Sequence, residues 1–321
     1  MVSLAQEHSR FYKGYYLIFA SMATMWWTAL VALAETQSPK STCMLQTNAR
    51  SRHAPMHSSI HYGVLTNNQP IYQSKLQAQK ETWARELVAG GRFFAVTGKS
   101  NEAMSPSDGT VVSPCVDDYD GVTCKERYIL ETGYDRDPDW LVVLGEDNYV
   151  DTAQLESQLA NFTGTSPIAL GDVSCELALC PEVQEGRSFC GGAGYALNRA
   201  ALRVLFQEGG QDVIDEYSGK HGYQGDLTTS CALRKRGVPL VPLDHLGGSR
   251  LMRMTELQAA MDAHLMTLHY LTPGVMYWVH AKLQGRPDAE LQTLEANAFE
   301  RGCCCWYDPA QKMSCQNVAN R

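Results

Sequence analysis

The sequence has no excess of positive charge. It carries 27 Lys and Arg residues against 35 Asp and Glu, a formal net charge of −8, so nothing favours nucleic-acid binding and we expect no nucleic-acid partner. The chain also lacks an evident internal repeat, and repeats are the signature of solenoid and propeller folds. With 321 residues it is long enough for one large domain or two small ones.

Charge is missing altogether from residues 15–34, YYLIFASMATMWWTALVALA. At 1.5 Å per residue such a helix would span a bilayer core of roughly 30 Å. Arg10 and Lys13 precede the run, and the positive-inside rule then places residues 1–14 in the cytosol and the remainder in a lumen. A cleaved signal peptide is the alternative, because Ala32-Leu33-Ala34 resembles a cleavage site. We favour an uncleaved anchor, since the run is longer than a usual signal-peptide core.

Cysteine is abundant, with eleven residues, as in proteins of oxidising compartments. Cys115 and Cys124, and likewise Cys175 and Cys180, are close enough in sequence to close small loops, although spacing does not fix the connectivity. A metal site at Cys175-x4-Cys180 is the weaker alternative, because no His-rich partner lies nearby. The odd total leaves one thiol free or paired with a second chain, the only indication of a homodimer. Asn161-Phe162-Thr163 is a glycosylation sequon.

The rest of the chain divides into three parts. Residues 35–60 are polar with little apolar periodicity, which predicts a flexible stem. Residues 61–300 alternate between strand and helix patterns and form the predicted folded domain. Residues 301–321 carry four cysteines, which we expect to be disulfide-linked to that domain; a zinc site there lacks paired C-x-x-C spacing.

The domain begins with a βαβ pattern. A strand over 61–66, a helix over 73–87 and a strand over 92–97 imply a parallel sheet with a right-handed crossover. Residues 98–124 are loop-like, and we interpret their acidic cluster (Asp117, Asp118, Asp120) as solvated rather than as a calcium loop. Further helices are predicted over 125–133, 152–162, 196–206, 227–236 and 275–283, and further strands over 140–144, 167–172, 238–243 and 266–270.

The strand over 140–144 is the most informative stretch. It is Val/Leu-rich and not amphipathic, as in a strand buried on both faces, and it ends in Gly145-Glu146-Asp147-Asn148. Ligands of open α/β sheets bind beyond the carboxyl ends of the strands. Two carboxylates at that place suit a divalent cation or a proton transfer, although an ordinary solvated turn is the alternative.

Three other features have both a structural and a functional reading. Asp226 near a helix start is either a cap or a catalytic acid. His269 at a strand end is either structural or a ligand. The segment Gly191-Gly192-Ala193-Gly194 permits close backbone approach, but it has neither G-x-G-x-x-G spacing nor a following G-K-[ST].

Five motifs over roughly residues 61–282 resemble, in one order, the inverting β1,3-glycosyltransferase family that includes Fringe and the core 1 β1,3-galactosyltransferase. The motifs are Lys80-Glu81-Thr82-Trp83, Asp139-Trp140-Leu141-Val142 with Glu146-Asp147-Asn148-Tyr149-Val150, Gly191 to Leu197 (GGAGYAL), Asp226-Leu227, and Thr267-Leu268-His269-Tyr270 with Met276-Tyr277. The resemblance implies an α/β fold of GT-A type, a Rossmann-like sandwich with a nucleotide-sugar site. It also implies a UDP-sugar donor, a glycan or glycoprotein acceptor, and a Golgi (or ER) type II membrane location.

The resemblance also assigns residues. It implies that Asp147 and His269 bind Mn²⁺, each at a strand end on one side of the sheet, since carboxylate oxygen and imidazole nitrogen suit this ion. Asp226 matches the general base. The nucleotide-sugar would also be bordered by Thr66, Lys80, Glu146, Gly191 and Gly192.

Two departures qualify the resemblance. Gly145 stands where the family has the first of three acids, and Gly225 stands where an acid precedes Asp226. These glycines raise three alternatives: weaker metal binding, altered donor choice, or a catalytically silent homologue that acts as a chaperone or partner. The donor is of the galactose or N-acetylhexosamine class, and the sequence does not choose between them.

Overall fold

The computed structural model describes residues 59–99, 109–176, 187–206, 215, 224–250, 254–300, 303–306 and 314–317. The predicted cytosolic tail and anchor, and nearly all of the predicted stem, lie outside these residues. Among the helices that are described, none combines the length and the apolar character needed to cross a bilayer.

The elements alternate along the chain, as the patterns predict. The strands are β1 Ile60–Leu65, β2 Phe93–Lys99, β3 Thr110–Val116, β4 Trp140–Gly145, β5 Tyr149–Val150, β6 Ala169–Gly171, β7 Cys175–Glu176, β8 Arg187–Ser188, β9 Tyr195–Asn198, β10 Leu240–Pro242, β11 Leu246–Arg250, β12 Thr267–His269, β13 Cys303–Trp306 and β14 Ser314–Asn317. The helices are α1 Pro70–Glu81, α2 Arg85–Ala89, α3 Val122–Arg136, α4 Thr152–Leu159, α5 Arg199–Phe206, α6 Gly225–Lys235, α7 Met254–Asp262, α8 Pro273–Leu283 and α9 Asp288–Glu300. A 3-10 turn covers Gly191–Ala193.

A seven-stranded mixed sheet forms the centre, in the order β10-β6-β9-β4-β1-β2-β3. β1 pairs in parallel with both β2 and β4, and β2 with β3, so the predicted βαβ unit is present. β9 is antiparallel to β4 and to β6. A smaller sheet has the order β11-β12-β5. Its strand β5 follows β4 in sequence after a short turn, so that turn connects the two sheets.

The central strand is buried on both faces. Trp140, Val142 and Leu144 belong to one apolar cluster, while Leu141 and Val143 belong to the other. All five side chains are at most 4% exposed, which confirms the interpretation of this run as a doubly covered strand.

Three predicted elements differ from the structure. The helix predicted over 73–87 is two helices, because α1 ends at Thr82, whose hydroxyl donates to the Ala78 carbonyl (2.6 Å). The loop predicted over 98–124 contains β3, and the helix predicted over 196–206 begins as strand β9. In both strands, partners distant in sequence supply the backbone hydrogen bonds, and local patterns do not register such partners.

The disulfides correct one of the two predicted loops. Cys115 pairs with Cys124, but Cys175 pairs with Cys190 and not with Cys180. The bond therefore ties the start of the glycine segment to β7, and Cys175 is not available for a metal site. In the tail, β13 and β14 form an antiparallel hairpin.

Candidate active site

The turn after β4, Gly145 to Asn148, is called the acidic turn below. Asn148 is completely buried, and its amide oxygen accepts from the Gly145 N–H (2.8 Å) while its amide nitrogen donates to the Gly192 carbonyl (2.8 Å). From α1 and its C-terminal end, Gln79 donates to the Gly145 and Asn148 carbonyls (both 2.9 Å), and the Trp83 indole donates to the Asn148 carbonyl (3.1 Å). Helix α1 thus fixes the shape of the turn.

The small sheet brings His269 to this turn. β12 pairs antiparallel with β5, placing Leu268 opposite Tyr149, and the Leu271 N–H donates to the Asp147 carbonyl (3.0 Å). The His269 Nε2 lies 3.3 Å from Asp147 Oδ1. The two residues are therefore in contact, but β4 and β12 belong to different sheets, so the expectation that both end strands of one sheet is wrong.

Asp147 also has a lysine neighbour, which the sequence interpretation missed. Lys75 Nζ lies 3.6 Å from Asp147 Oδ2. Burial alone would raise the pKa of Asp147, but His269 and Lys75 together lower it to about 2. Glu146 has the opposite response: burial and the adjacent Asp147 charge raise its pKa to about 7. Asp147 is thus the permanently ionised member of the pair.

The donor set at this place fits a divalent cation only in part. A carboxylate oxygen and an imidazole nitrogen face one another, which is the mixed set that suits Mn²⁺. No group of three or more His, Cys, Asp or Glu side chains in the described residues is arranged to hold a metal. Asp147 and His269 would therefore hold an ion only together with oxygens from a ligand or water, as Mg²⁺-type sites with substrate phosphates do.

The glycine segment, Gly191 to Gly194, passes between His269 and Asp226. A Cβ at Gly192 would lie 2.3 Å from His269 Nδ1, and a Cβ at Gly191 would lie 2.6 Å from the Asp226 Cβ. Gly194 adopts a φ of +79°, in the region that favours glycine. Positions 191 and 192 are therefore glycines because Asp226 and His269 lie directly against their backbone.

Asp226 lies in the first turn of α6 and accepts two backbone hydrogen bonds. The Gly191 N–H donates to Oδ2 (2.7 Å) and the Leu227 N–H donates to Oδ1 (2.9 Å). Burial raises the pKa of Asp226, while these N–H groups act against the rise. A largely buried carboxylate with a raised pKa is suited to accepting a proton.

Thr66 directly follows β1, and Lys125 of α3 contacts it. Thr66 is buried, its hydroxyl has no hydrogen-bond partner among the described residues, and its carbonyl accepts from Lys125 Nζ (3.0 Å). Lys125 also pairs with Asp117 (3.3 Å), which accepts from the Asn68 and Gly98 N–H groups (2.7 and 2.8 Å). Asp117 is therefore partly buried and joins several elements, so the interpretation of the acidic cluster as solvated is wrong for Asp117.

Lys80 and Lys75 lie on different faces of α1. Lys75 and Gln79 are one helical turn apart and both contact the acidic turn, whereas Lys80 is about 100° further round the axis. The role of Lys80 near a nucleotide remains a prediction. The i, i+4 spacing of Lys75 and Gln79 is the sequence signal that could have identified Lys75.

A family model described as Fringe-like matches residues 57–283. No curated protein matches the chain. Among solved structures the chain is similar to a glycosyltransferase involved in the glycosylation of the major capsid of PBCV-1, at 10% identity and a TM-score of 0.39, covering 67% of this chain and 97% of that one. It is also similar to mannose-1-phosphate geranyltransferase from Thermus thermophilus, at 16% identity and a TM-score of 0.31, covering 59% and 70%.

Proposed function

This chain belongs to the Fringe-like family, a family of glycosyltransferases, and we propose that it is a metal-dependent inverting enzyme that moves a sugar from a UDP-sugar to a glycan or glycoprotein hydroxyl in β1,3 linkage. The observation that carries the proposal is the contact between Asp147 and His269. They are distant in sequence, yet they meet beside the glycine segment that Asp226 contacts.

Each residue has a defined task in the proposed reaction. Asp147 and His269 would hold Mn²⁺, which supplies Lewis-acid neutralisation of the departing diphosphate. Asp226 takes the proton from the acceptor hydroxyl as its oxygen bonds to the anomeric carbon. The bond from that carbon to the diphosphate oxygen breaks at the same time, and UDP leaves with the electron pair. Gly191 and Gly192 leave backbone, without side chains, next to Asp226 and His269.

The surroundings of Asp226 support its role as the base. Its two hydrogen bonds come from backbone N–H groups, which hold the carboxylate in one orientation without neutralising it as a bound cation would. A general base of this kind contributes typically about 10²–10⁴-fold to a rate.

The domain arrangement and location follow the same proposal. We propose a GT-A type catalytic domain over residues 61–300 with a Cys-rich tail over 301–321, a stem over 35–60 and an anchor over 15–34. The catalytic domain would then lie in the Golgi or ER lumen, and a homodimer is compatible with the odd cysteine count. Retention of the expressed chain in the membrane pellet after carbonate washing is the check on anchoring.

Metal-coupled nucleotide binding tests the proposal. The purified full chain is titrated with UDP in the calorimeter, with Mn²⁺ and with chelator, and turnover is measured as UDP release from UDP-galactose and UDP-N-acetylglucosamine with candidate acceptors. We expect UDP binding that requires Mn²⁺, and release with at least one donor. Binding that is indifferent to Mn²⁺ would contradict the metal dependence.

A catalytically silent homologue is the second candidate. Gly145 favours it, because this position has no carboxylate and a Cβ there would come within 3.0 Å of Asp147 Oδ1. Such a protein would act as a chaperone or partner of an active transferase. The absence of any Mn²⁺-dependent heat on UDP addition, together with no UDP release from either donor, would favour this candidate.

A further inference from the structure

Glu126 is a buried carboxyl group that the proposed reaction does not use. It lies in α3 and is 7% exposed. Its Oε1 accepts from the Tyr195 hydroxyl (2.5 Å) and from the Thr229 hydroxyl (2.9 Å). Tyr195 belongs to β9 and Thr229 to α6, so Glu126 connects α3 with both of these elements.

The second carboxyl oxygen of Glu126 lies against Gly225. A Cβ built at Gly225 would come within 2.1 Å of Glu126 Oε2 and 2.6 Å of its Cδ. The carboxyl group therefore occupies the volume that any side chain at position 225 would fill. Gly225 directly precedes Asp226, and this is the position at which the sequence departs from the Glu-Asp motif.

Within the described part of the chain, the groups that face Glu126 include no cation. Tyr195 on β9 and Asp226 on α6 are the titratable groups that act on it. On its own helix, Lys125 is engaged by Thr66 and Asp117, and Arg127 pairs with Asp215. Burial, followed by the charge of Asp226, raises the pKa of Glu126 to about 8. The raised pKa favours the protonated form of Glu126 at neutral pH.

We propose that Glu126 is a positioning residue for Asp226: its carboxyl group, held by the Tyr195 and Thr229 hydroxyls, fills the space beside Gly225 and supports the turn that carries Asp226. The inference rests on the proposed function, because it takes Asp226 to be the base. Glu126 transfers no proton in the reaction. Its neutral carboxyl packs against Gly225 and thereby fixes the first turn of α6, which carries Asp226.

The pH dependence of catalysis distinguishes this role from simple packing. When Glu126 ionises, two adjacent buried carboxylates repel each other and Asp226 moves from its working position. We expect kcat/KM of the full chain, measured as UDP release with the donor that turns over, to fall about tenfold per pH unit above the pKa of Glu126. The variant Glu126→Gln, a neutral mimic of the protonated acid, should keep the activity at neutral pH within about threefold and lose the alkaline decline.

The control is Glu131→Gln, which removes an acid from the same helix and should change neither limb of the profile. A second readout does not need turnover. The infrared difference spectrum between about pH 6 and about pH 9 should contain protonated carboxyl signal from both Glu126 and Glu146, of which Glu126→Gln removes the Glu126 part and Glu131→Gln removes neither.

The outcomes separate the inference from the proposed function. An alkaline limb or a carboxyl band that is the same in Glu126→Gln and in the unmodified chain would overturn the inference, whatever Asp226 does. Full turnover in Asp226→Asn would instead overturn the assignment of the base in the proposed function, even if the carboxyl band of Glu126 is present.

Discussion

Two pairs of carboxyl groups lie on either side of the glycine segment, and they differ in their neighbours. Glu146 and Asp147 have Lys75 and His269 beside them. Among the residues that the structure describes, Glu126 and Asp226 have hydroxyl and backbone N–H donors in place of cations. The first pair therefore contains a carboxylate that stays ionised, with a pKa of about 2, and the second contains an acid that stays protonated to a pKa of about 8.

The difference shows how one fold supports two kinds of chemistry with the same residue types. A carboxylate whose ionised form is favoured is suited to binding a metal ion. A buried carboxylate with a raised pKa is suited to accepting a proton. The glycine segment contacts both sides through Gly191 and Gly192, which keeps the two functions within one small volume.

The largest expected effect is that of Asp147→Ala, which removes the ionised member of the first pair. We expect loss of detectable UDP release and loss of Mn²⁺-dependent UDP binding, because the ion would retain only the His269 nitrogen. Turnover assays and calorimetry measure these effects. Asp151→Asn is the matched control, since Asp151 caps α4 by accepting from the Gln154 N–H (3.0 Å) and Asn caps helices equally well. Unchanged turnover in Asp147→Ala would refute the metal role.

Asp226→Asn probes the other pair. The amide cannot accept the acceptor proton, so kcat should fall by about 100-fold or more, while Mn²⁺-dependent UDP affinity stays within about twofold. Steady-state kinetics and calorimetry on the same preparation separate these two quantities. If UDP affinity fell as much as kcat, Asp226 would belong to the binding side, and the contrast between the two pairs would be lost.

The free energy of unfolding of Glu126→Gln, measured at two pH values, tests whether Glu126 is protonated in the folded chain. In the folded chain Glu126 keeps its proton up to about pH 8, whereas the unfolded chain loses it near the ordinary value of 4.5. The folded state is therefore most favoured below that value and loses stability as the pH rises towards 8. We expect Glu126→Gln to be more stable than the unmodified chain by about 4 kcal/mol at pH 8 and about equally stable at pH 4.5.

Denaturant unfolding at the two pH values measures this difference. Asp147 has the opposite sense, because its lowered pKa gives stability that is present above 3.8 and is lost as the pH falls towards 2. A Glu126→Gln variant with the same stability difference at both pH values would show that folding does not raise the pKa of Glu126.

Local signals in the sequence predicted the pair Glu146 and Asp147 better than the pair Glu126 and Asp226. The doubly buried run 140–144 and the acids after it are contiguous, so the strand and the acidic turn are visible as a pattern. The family resemblance added His269 and Asp226. Glu126 carries no local signal, because its meaning depends on the empty volume at Gly225, about a hundred residues later in the chain.

The strands that the sequence did not predict have the same cause. β9 is only four residues long and runs into α5, so its sequence continues a helical pattern. Its strand conformation comes from hydrogen bonding to β4 and β6 on its two sides. Tertiary partners outweigh local propensity in such short buried segments. β9 also carries Tyr195, and missing it therefore meant missing the environment of Glu126.

The smallest expected effect is that of Lys75→Gln, which removes a neighbour of Asp147 on α1. Lys75 is 3.6 Å from Asp147, so Lys75→Gln removes the lysine charge beside that carboxylate. Because Lys75 is about one-fifth exposed, solvent screens its charge, and we expect only about a threefold to tenfold loss of UDP affinity. Lys80→Gln is the matched control on the other face of the helix and should change the affinity less than twofold.

Calorimetry at two ionic strengths adds a further criterion, because the Lys75 effect should shrink as salt increases. A larger loss in Lys80→Gln would assign the nucleotide contact to Lys80, as the sequence motif predicts, and would leave Lys75 as a structural partner of Asp147.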